Sequence, residues 1–259
     1  MQLTSSQLQE FEQRGFVFLP SLLPAGLVAE LQATLPELLR RKGPEVVPEK
    51  DQPDTARLVF GAHHYDDVFR KLSISAQLLH PVQQLLRDDV YLHQSRLNPK
   101  YGFGHGDSWA WHQDYPPWHT IDGMPKPHCV MASVFVDDCT TVNSPLLVLP
   151  GSHRHGLLDS RLHEDAEGRG YELHHLDNPT LIRLAGEHGI EPLIGPAGSV
   201  AFVHCNLVHG SANNVSPWRR AIAYLIYNAI SNACTKTERP WYQNERDFSP
   251  LHPLSDTSC

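Results

Sequence analysis

Apolar positions change their spacing about a third of the way along the chain. In LTSSQLQEFEQRGFVFLPSLLP, Thr4, Ser5 and Ser6 are candidate N-caps for a short amphipathic helix that stops at Gly15. Phe16 to Leu19 then reads as a buried strand ended by Pro20. From 25 to about 41, Leu27, Leu31, Leu35 and Leu38 share one helical face, and the basic run RRK sits at the C-terminal end. KGPEVVPEKDQPD reads as a polar, Pro-rich surface loop, and Leu78, Leu79, Val82 and Leu86 predict a third helix over about 74 to 87.

From 90 onward the texture becomes short β-branched and aromatic runs: VYLHQSRLN, VMASVFVDD, PLLVLPGS, GSVAFVHCNLVHG and RAIAYLIYNAI. Each is bounded by Pro, Gly, Asn or Asp, as in a sandwich or barrel. Residues 152–192 are polar and rich in His and Glu, an expected insertion with one helix near 179 to 188. No repeat or linker divides the chain. The expectation is one domain over 1–259: helical support over 1–89, a β core over 90–230, and a tail over 231–259.

Composition narrows the function. The 259 residues are 41% hydrophobic and 8% aromatic, enough for a sizeable core. A net charge of −8 gives no electrostatic reason to bind nucleic acid or an anionic membrane. No apolar run approaches the ~18 residues of a bilayer span, and the opening residues lack a signal-peptide layout. The expectation is a cytoplasmic protein, monomeric or homodimeric, with a small-molecule substrate. Cys129, Cys139, Cys205, Cys234 and Cys259 are odd in number with no CxxC pair, so they read as free thiols rather than a disulfide frame or thiolate site.

The chemistry concentrates in WAWHQDYPPWHTIDGMP, residues 109–125. Residues i and i+2 of a strand point the same way, so an extended segment here would present His112 and Asp114 to one side. A third ligand could come from His209, at the close of an apolar run in VHGS. Two His and one carboxylate on one face of an octahedron leave three positions open, an arrangement that suits non-haem Fe(II) and oxygen chemistry. Taken alone, HxD is ordinarily a polar loop and a lone His ordinarily a satisfied core residue.

The register around these residues adds to that reading. HxD, then NSPLLVLPGSHRHG (143–156), then GSVAFVHCNLVHGSANNVSPWRRAIAYLIYN (198–228) resembles the phytanoyl-CoA dioxygenase superfamily. HQSRLN…WHQDYPPWHTIDGMP is similar to the ectoine hydroxylases, and GDSWAWHQDY to bacterial hydroxylases of free amino acids such as leucine. The resemblance spans most of 90–230 and implies a mainly β fold, a double-stranded β-helix (jelly roll, cupin-like) with a helical N-terminal part. It implies an Fe(II)/2-oxoglutarate-dependent dioxygenase that uses O2 and releases succinate and CO2, with His112, Asp114 and His209 as catalytic metal ligands.

The same resemblance assigns 2-oxoglutarate to Arg220, eleven residues beyond the distal His, to Ser211, and to Lys100, whose register is offset by one extra residue before HxD. Guanidinium suits a buried carboxylate because it donates two parallel charge-assisted bonds. Gln94 and Trp118 match substrate-contacting positions, and Arg96, on the strand face of Gln94, is a candidate for a substrate carboxylate. Trp109 and Trp111 are expected to pack the sheet, and His105, His119 and His128 to be non-ligands. Halogenases of the superfamily carry Gly or Ala at the carboxylate position, so Asp114 implies hydroxylation. The substrate expected is a small polar metabolite, a free amino acid or cyclic amino-acid derivative, since no basic cluster offers a handle for a CoA phosphate. The alternatives are a non-catalytic jelly-roll binding protein and a cupin-type metal-dependent hydrolase or isomerase.

Overall fold

The computed structural model describes residues 1–163, 171 and 173–254; Cys259 and parts of the expected insertion and tail lie outside the described residues. In chain order the helices are α1 (Ser5–Arg14), α2 (Ala25–Leu39), α3 (Ala62–Tyr65), α4 (Asp67–Ser73), α5 (Ala76–Leu86), α6 (Tyr115–Thr120) and α7 (Asn178–His188). The strands are β1 (Phe16–Leu19), β2 (Val46–Glu49), β3 (Gln52–Phe60), β4 (Val90–Asn98), β5 (Trp109–His112), β6 (Cys129–Phe135), β7 (Leu146–Val148), β8 (Arg161–Leu162), β9 (His174–His175), β10 (Glu191–Leu193), β11 (Val200–His204), β12 (His209–Ser211) and β13 (Ile222–Ala229).

Among the described residues they form two antiparallel sheets, a seven-stranded one ordered β1-β11-β6-β13-β4-β3-β2 and a six-stranded one ordered β10-β7-β12-β5-β9-β8. Chain order and spatial order differ throughout, which is how a jelly roll interleaves its strands. The large sheet is buried on both faces. Val130, Ala132, Val134, Ala223, Leu225 and Tyr227 pack with Leu31, Leu35, Leu78 and Val82 of α2 and α5. Their neighbours Met131, Phe135, Ile222, Tyr224 and Ile226 instead join Leu146, Val148 and Leu193 of the small sheet. Both faces being apolar, these strands read as unbroken hydrophobic runs with no visible alternation.

Two elements depart from the sequence reading. The Pro-rich stretch expected as a surface loop supplies β2 and the start of β3, with Val47 and Glu49 buried. Pro48 is tolerated because β2 is the outer strand of its sheet. The 152–192 segment contributes β8, β9 and β10 as well as its helix. The N-terminal helix matches its signals closely: Thr4 and Gln7 form a reciprocal capping box, and Gly15 closes it in the left-handed conformation.

Candidate active site

The two sheets open onto a cavity of about 730 Å³, its mouth included. At one end, β5 and β12 pair antiparallel with His112 directly opposite His209, and their rings lie 4.2 Å apart. Asp114 is not on the strand. β5 ends at His112, and Asp114, in helical conformation, is the N-cap of α6. A strand-to-helix turn, not strand alternation, brings its carboxylate to the imidazoles. Its oxygens lie 3.7 Å from Nε2 of each histidine.

The donor set suits a divalent ion. His112 Nδ1 donates to the Ala110 carbonyl at 2.6 Å and His209 Nδ1 to the Leu207 carbonyl at 2.9 Å. A carbonyl only accepts, so each ring donates through Nδ1 and turns Nε2 to the centre. Burial, aided by His112, lowers the His209 pKa to about 4 and keeps it neutral. Burial alone would raise the Asp114 pKa. Arg96 foremost, then His209, outweighs it and holds the carboxyl well below the usual range. Two imidazole nitrogens and one ionised carboxylate, their ligand atoms within 4.8 Å, are the donor set a non-haem Fe(II) site requires.

Of the other residues singled out, Gln94, Trp118, Arg96 and Ser211 line the cavity. Arg96 is committed to the metal end: its Nη2 donates to both Asp114 oxygens at 2.8 Å. Arg220 and Lys100 are fully buried but stand behind the wall. Arg220 donates from Nη1 to Asn98 Oδ1 at 3.2 Å and from Nε to the Ser144 carbonyl, and Asn98 faces the cavity. Lys100 donates to the Asp107 carbonyl. Burial, with Arg220 and Arg57 beside it, pulls its pKa well below that of an ordinary lysine. The basic side chains of Arg220, Arg57 and Lys100 thus crowd behind Asn98, where an arriving anion would favour the charged form of the lysine.

Several wall residues were not anticipated. Trp109, expected to pack the sheet, lines the cavity, with the Arg57 guanidinium 3.9 Å over its ring. Trp111 does pack, against Leu149 and Val208. Leu58, Phe60, Tyr171, Arg239 and Gln243 complete the wall. Arg239 donates from Nε to Asp122 at 2.7 Å and from Nη2 to its other oxygen. Leu58 and Phe60 follow the stretch read as loop, Tyr171 lies in the insertion, and Arg239 and Gln243 lie in the tail, where sequence offered no spacing to a motif.

The chain matches the family model for phytanoyl-CoA dioxygenase (PhyH) over residues 11–222. It is 33% identical to ectoine dioxygenase of Stutzerimonas stutzeri, covering 96% of this chain and 86% of that protein. It is 34% identical to L-proline trans-4-hydroxylase of Streptomyces griseoviridis, covering 93% and 92%. The crystal structure of EctD from S. alaskensis with 2-oxoglutarate and 5-hydroxyectoine superposes with a TM-score of 0.85 at 34% identity, over 97% of this chain and 87% of that one. The epimerase SnoN from nogalamycin biosynthesis shares the fold, with a TM-score of 0.70 at 20% identity. An open His–Asp–His centre inside a jelly roll and this set of relatives lead to one conclusion: the chain belongs to the phytanoyl-CoA dioxygenase family and is an Fe(II)/2-oxoglutarate-dependent dioxygenase.

Proposed function

We propose that this enzyme hydroxylates a free amino acid or a cyclic amino-acid derivative, with iron held by His112, Asp114 and His209. The observation that carries the reading is that Gln94, Trp118, Arg239 and Gln243 line the same cavity as His112, Asp114 and His209. An amino acid brings a carboxylate and a compact apolar body. Arg239, already oriented by its two bonds to Asp122, keeps guanidinium donors for that carboxylate. Trp118, buried edge-on to His93 at 5.5 Å, offers a flat apolar surface to the body of the substrate. The relatives named for ectoine and proline support the same size and chemistry.

Iron with 2-oxoglutarate and O2 supplies the oxidant for C–H hydroxylation, as the co-substrate becomes succinate and CO2. The protein's part is placement. Ser211 meets a dicarboxylate at the cavity wall, and Arg220 receives its far end by exchanging the Asn98 contact for a carboxylate. Lys100 adds a third donor as the arriving anion restores its charge. Arg96, committed to Asp114, is read as the residue that aims the metal ligand rather than as a substrate contact. Buried aromatic walls exclude water and hold one carbon near the metal. We further read the chain as a single domain acting in the cytoplasm; among the described residues no helix is long and apolar enough to cross a membrane.

A screen of amino acids, ectoine and cyclic imino acids for the mass gain of one oxygen, coupled to succinate release, tests the proposal. At least one member of that set is expected to be turned over. Turnover of an acyl-CoA with no amino acid accepted would overturn the substrate reading and leave the iron site standing.

A further inference from the structure

A second cluster of metal-ligating side chains lies away from the cavity, where α3 meets the C-terminal segment. Glu245 Oε2 sits 2.7 Å from His64 Nε2 and 3.5 Å from His63 Nε2. The three ligand atoms fall within 4.8 Å of one another. Each group is oriented by a separate contact. Glu245 Oε1 accepts from the backbone N–H of Arg246 at 2.7 Å and of Asp247 at 3.3 Å, which turns Oε2 to the histidines. His63 Nδ1 lies 2.7 Å from the Ser95 hydroxyl, leaving Nε2 to the cluster. His64 is steadied by Trp241, edge-on at 4.9 Å.

Ligand atoms in a tetrahedral zinc site, with bonds of about 2.0–2.1 Å, lie roughly 3.3 Å apart. The His63–Glu245 separation is already close to that, and the His64–Glu245 separation requires a small opening. The side chains of His63, His64 and Glu245 are 14%, 36% and 15% exposed, so an ion arriving from solvent would keep a water ligand.

We infer that His63, His64 and Glu245 form a second metal site, for a zinc-class divalent ion bound by two imidazole nitrogens, one carboxylate oxygen and water. Its place in the fold gives it a consequence. The segment it holds carries Arg239 and Gln243 of the cavity wall. Gln243 accepts from Gln94 through its carbonyl, and the Glu245 N–H donates to the His93 carbonyl. An ion at this site ties that wall to α3.

The test uses the full chain with His112→Ala and His209→Ala, which disable the first site, purified free of metal and titrated with Zn2+ by calorimetry at pH 7.5. Circular dichroism and thermal unfolding establish that each variant is folded. One zinc per chain is expected, with a rise in melting temperature of about 5 °C at a free zinc concentration of roughly 100 times Kd. Adding Glu245→Gln, or His64→Gln at its more exposed position should the former not fold, is expected to weaken binding at least about tenfold. Absence of zinc uptake by the parent, or uptake unchanged by His64→Gln, would overturn the inference. Neither result bears on the iron site or the substrate, which this experiment does not use.

Discussion

Arg96 decides the electrostatics of the metal end. It places one nitrogen against both oxygens of Asp114, so the carboxylate stays ionised despite full burial and its plane is fixed before any ion arrives. Removing the guanidinium leaves burial as the larger influence, and the Asp114 pKa rises. A carboxylate ligand binds iron only above its pKa, so the acid limb of activity should move to higher pH in Arg96→Gln, not lower. Fe(II) affinity should fall by about 10- to 100-fold. Equilibrium Fe(II) binding and a pH–rate profile check both. An unshifted acid limb with unchanged affinity would remove Arg96 from this role.

Local irregularities aim the side chains. A bulge between the pairs Ile226–Gln94 and Tyr227–Leu92 lets Leu92 pack with the helices while Gln94, two residues on, faces the cavity. A second irregularity in β12 lets His209 and Ser211 oppose His112 and Trp109, and all four residues line the cavity. Gly15 does comparable work at the junction of α1 and β1. At φ +80°, its missing Cβ would stand 2.4 Å from His153 Nδ1 and 2.9 Å from Leu207 Cδ1. Gly15→Ala therefore combines left-handed strain with overpacking and should cost about 2–4 kcal/mol, read from urea unfolding. A loss under about 0.5 kcal/mol would show that the junction relaxes freely.

These irregularities also mark how far sequence reaches. β1, β4, α5 and α7 follow from caps, Pro and Gly boundaries and apolar spacing, all of which act within a few residues. His112 and His209 stand out because ligand chemistry falls at strand ends. Strand alternation predicts the place of Asp114, which instead sits on a helix cap, because α6 starts at Tyr115 with Pro116 and Pro117 in its first turn. Bulges shift register by one residue without a composition signal, so the aim of Gln94 could not be derived from periodicity. Arg57, Tyr171 and Arg239 reach the site from segments whose pairing partners lie far along the chain; Arg57 and Tyr171, bonded at 3.1 Å, are 114 residues apart.

For the whole molecule, the large sheet, buried on both faces, packs under the small sheet, which with the start of α6 presents His112, Asp114 and His209 to the cavity. The C-terminal segment contributes Arg239 and Gln243 to the cavity lining. The family sets the reaction; the residues that hold its parts are this account's central claim. Anaerobic titration of the metal-free protein with Fe(II) and 2-oxoglutarate tests it most directly, in wild type, His209→Ala and Arg220→Ala. The account predicts a weak visible metal-to-ligand charge-transfer band in wild type and none in His209→Ala. In Arg220→Ala the band should appear only at 2-oxoglutarate concentrations raised at least about tenfold, the loss of one charge-assisted pair. A wild-type protein without the band, or an unchanged band in His209→Ala, would contradict the assignment.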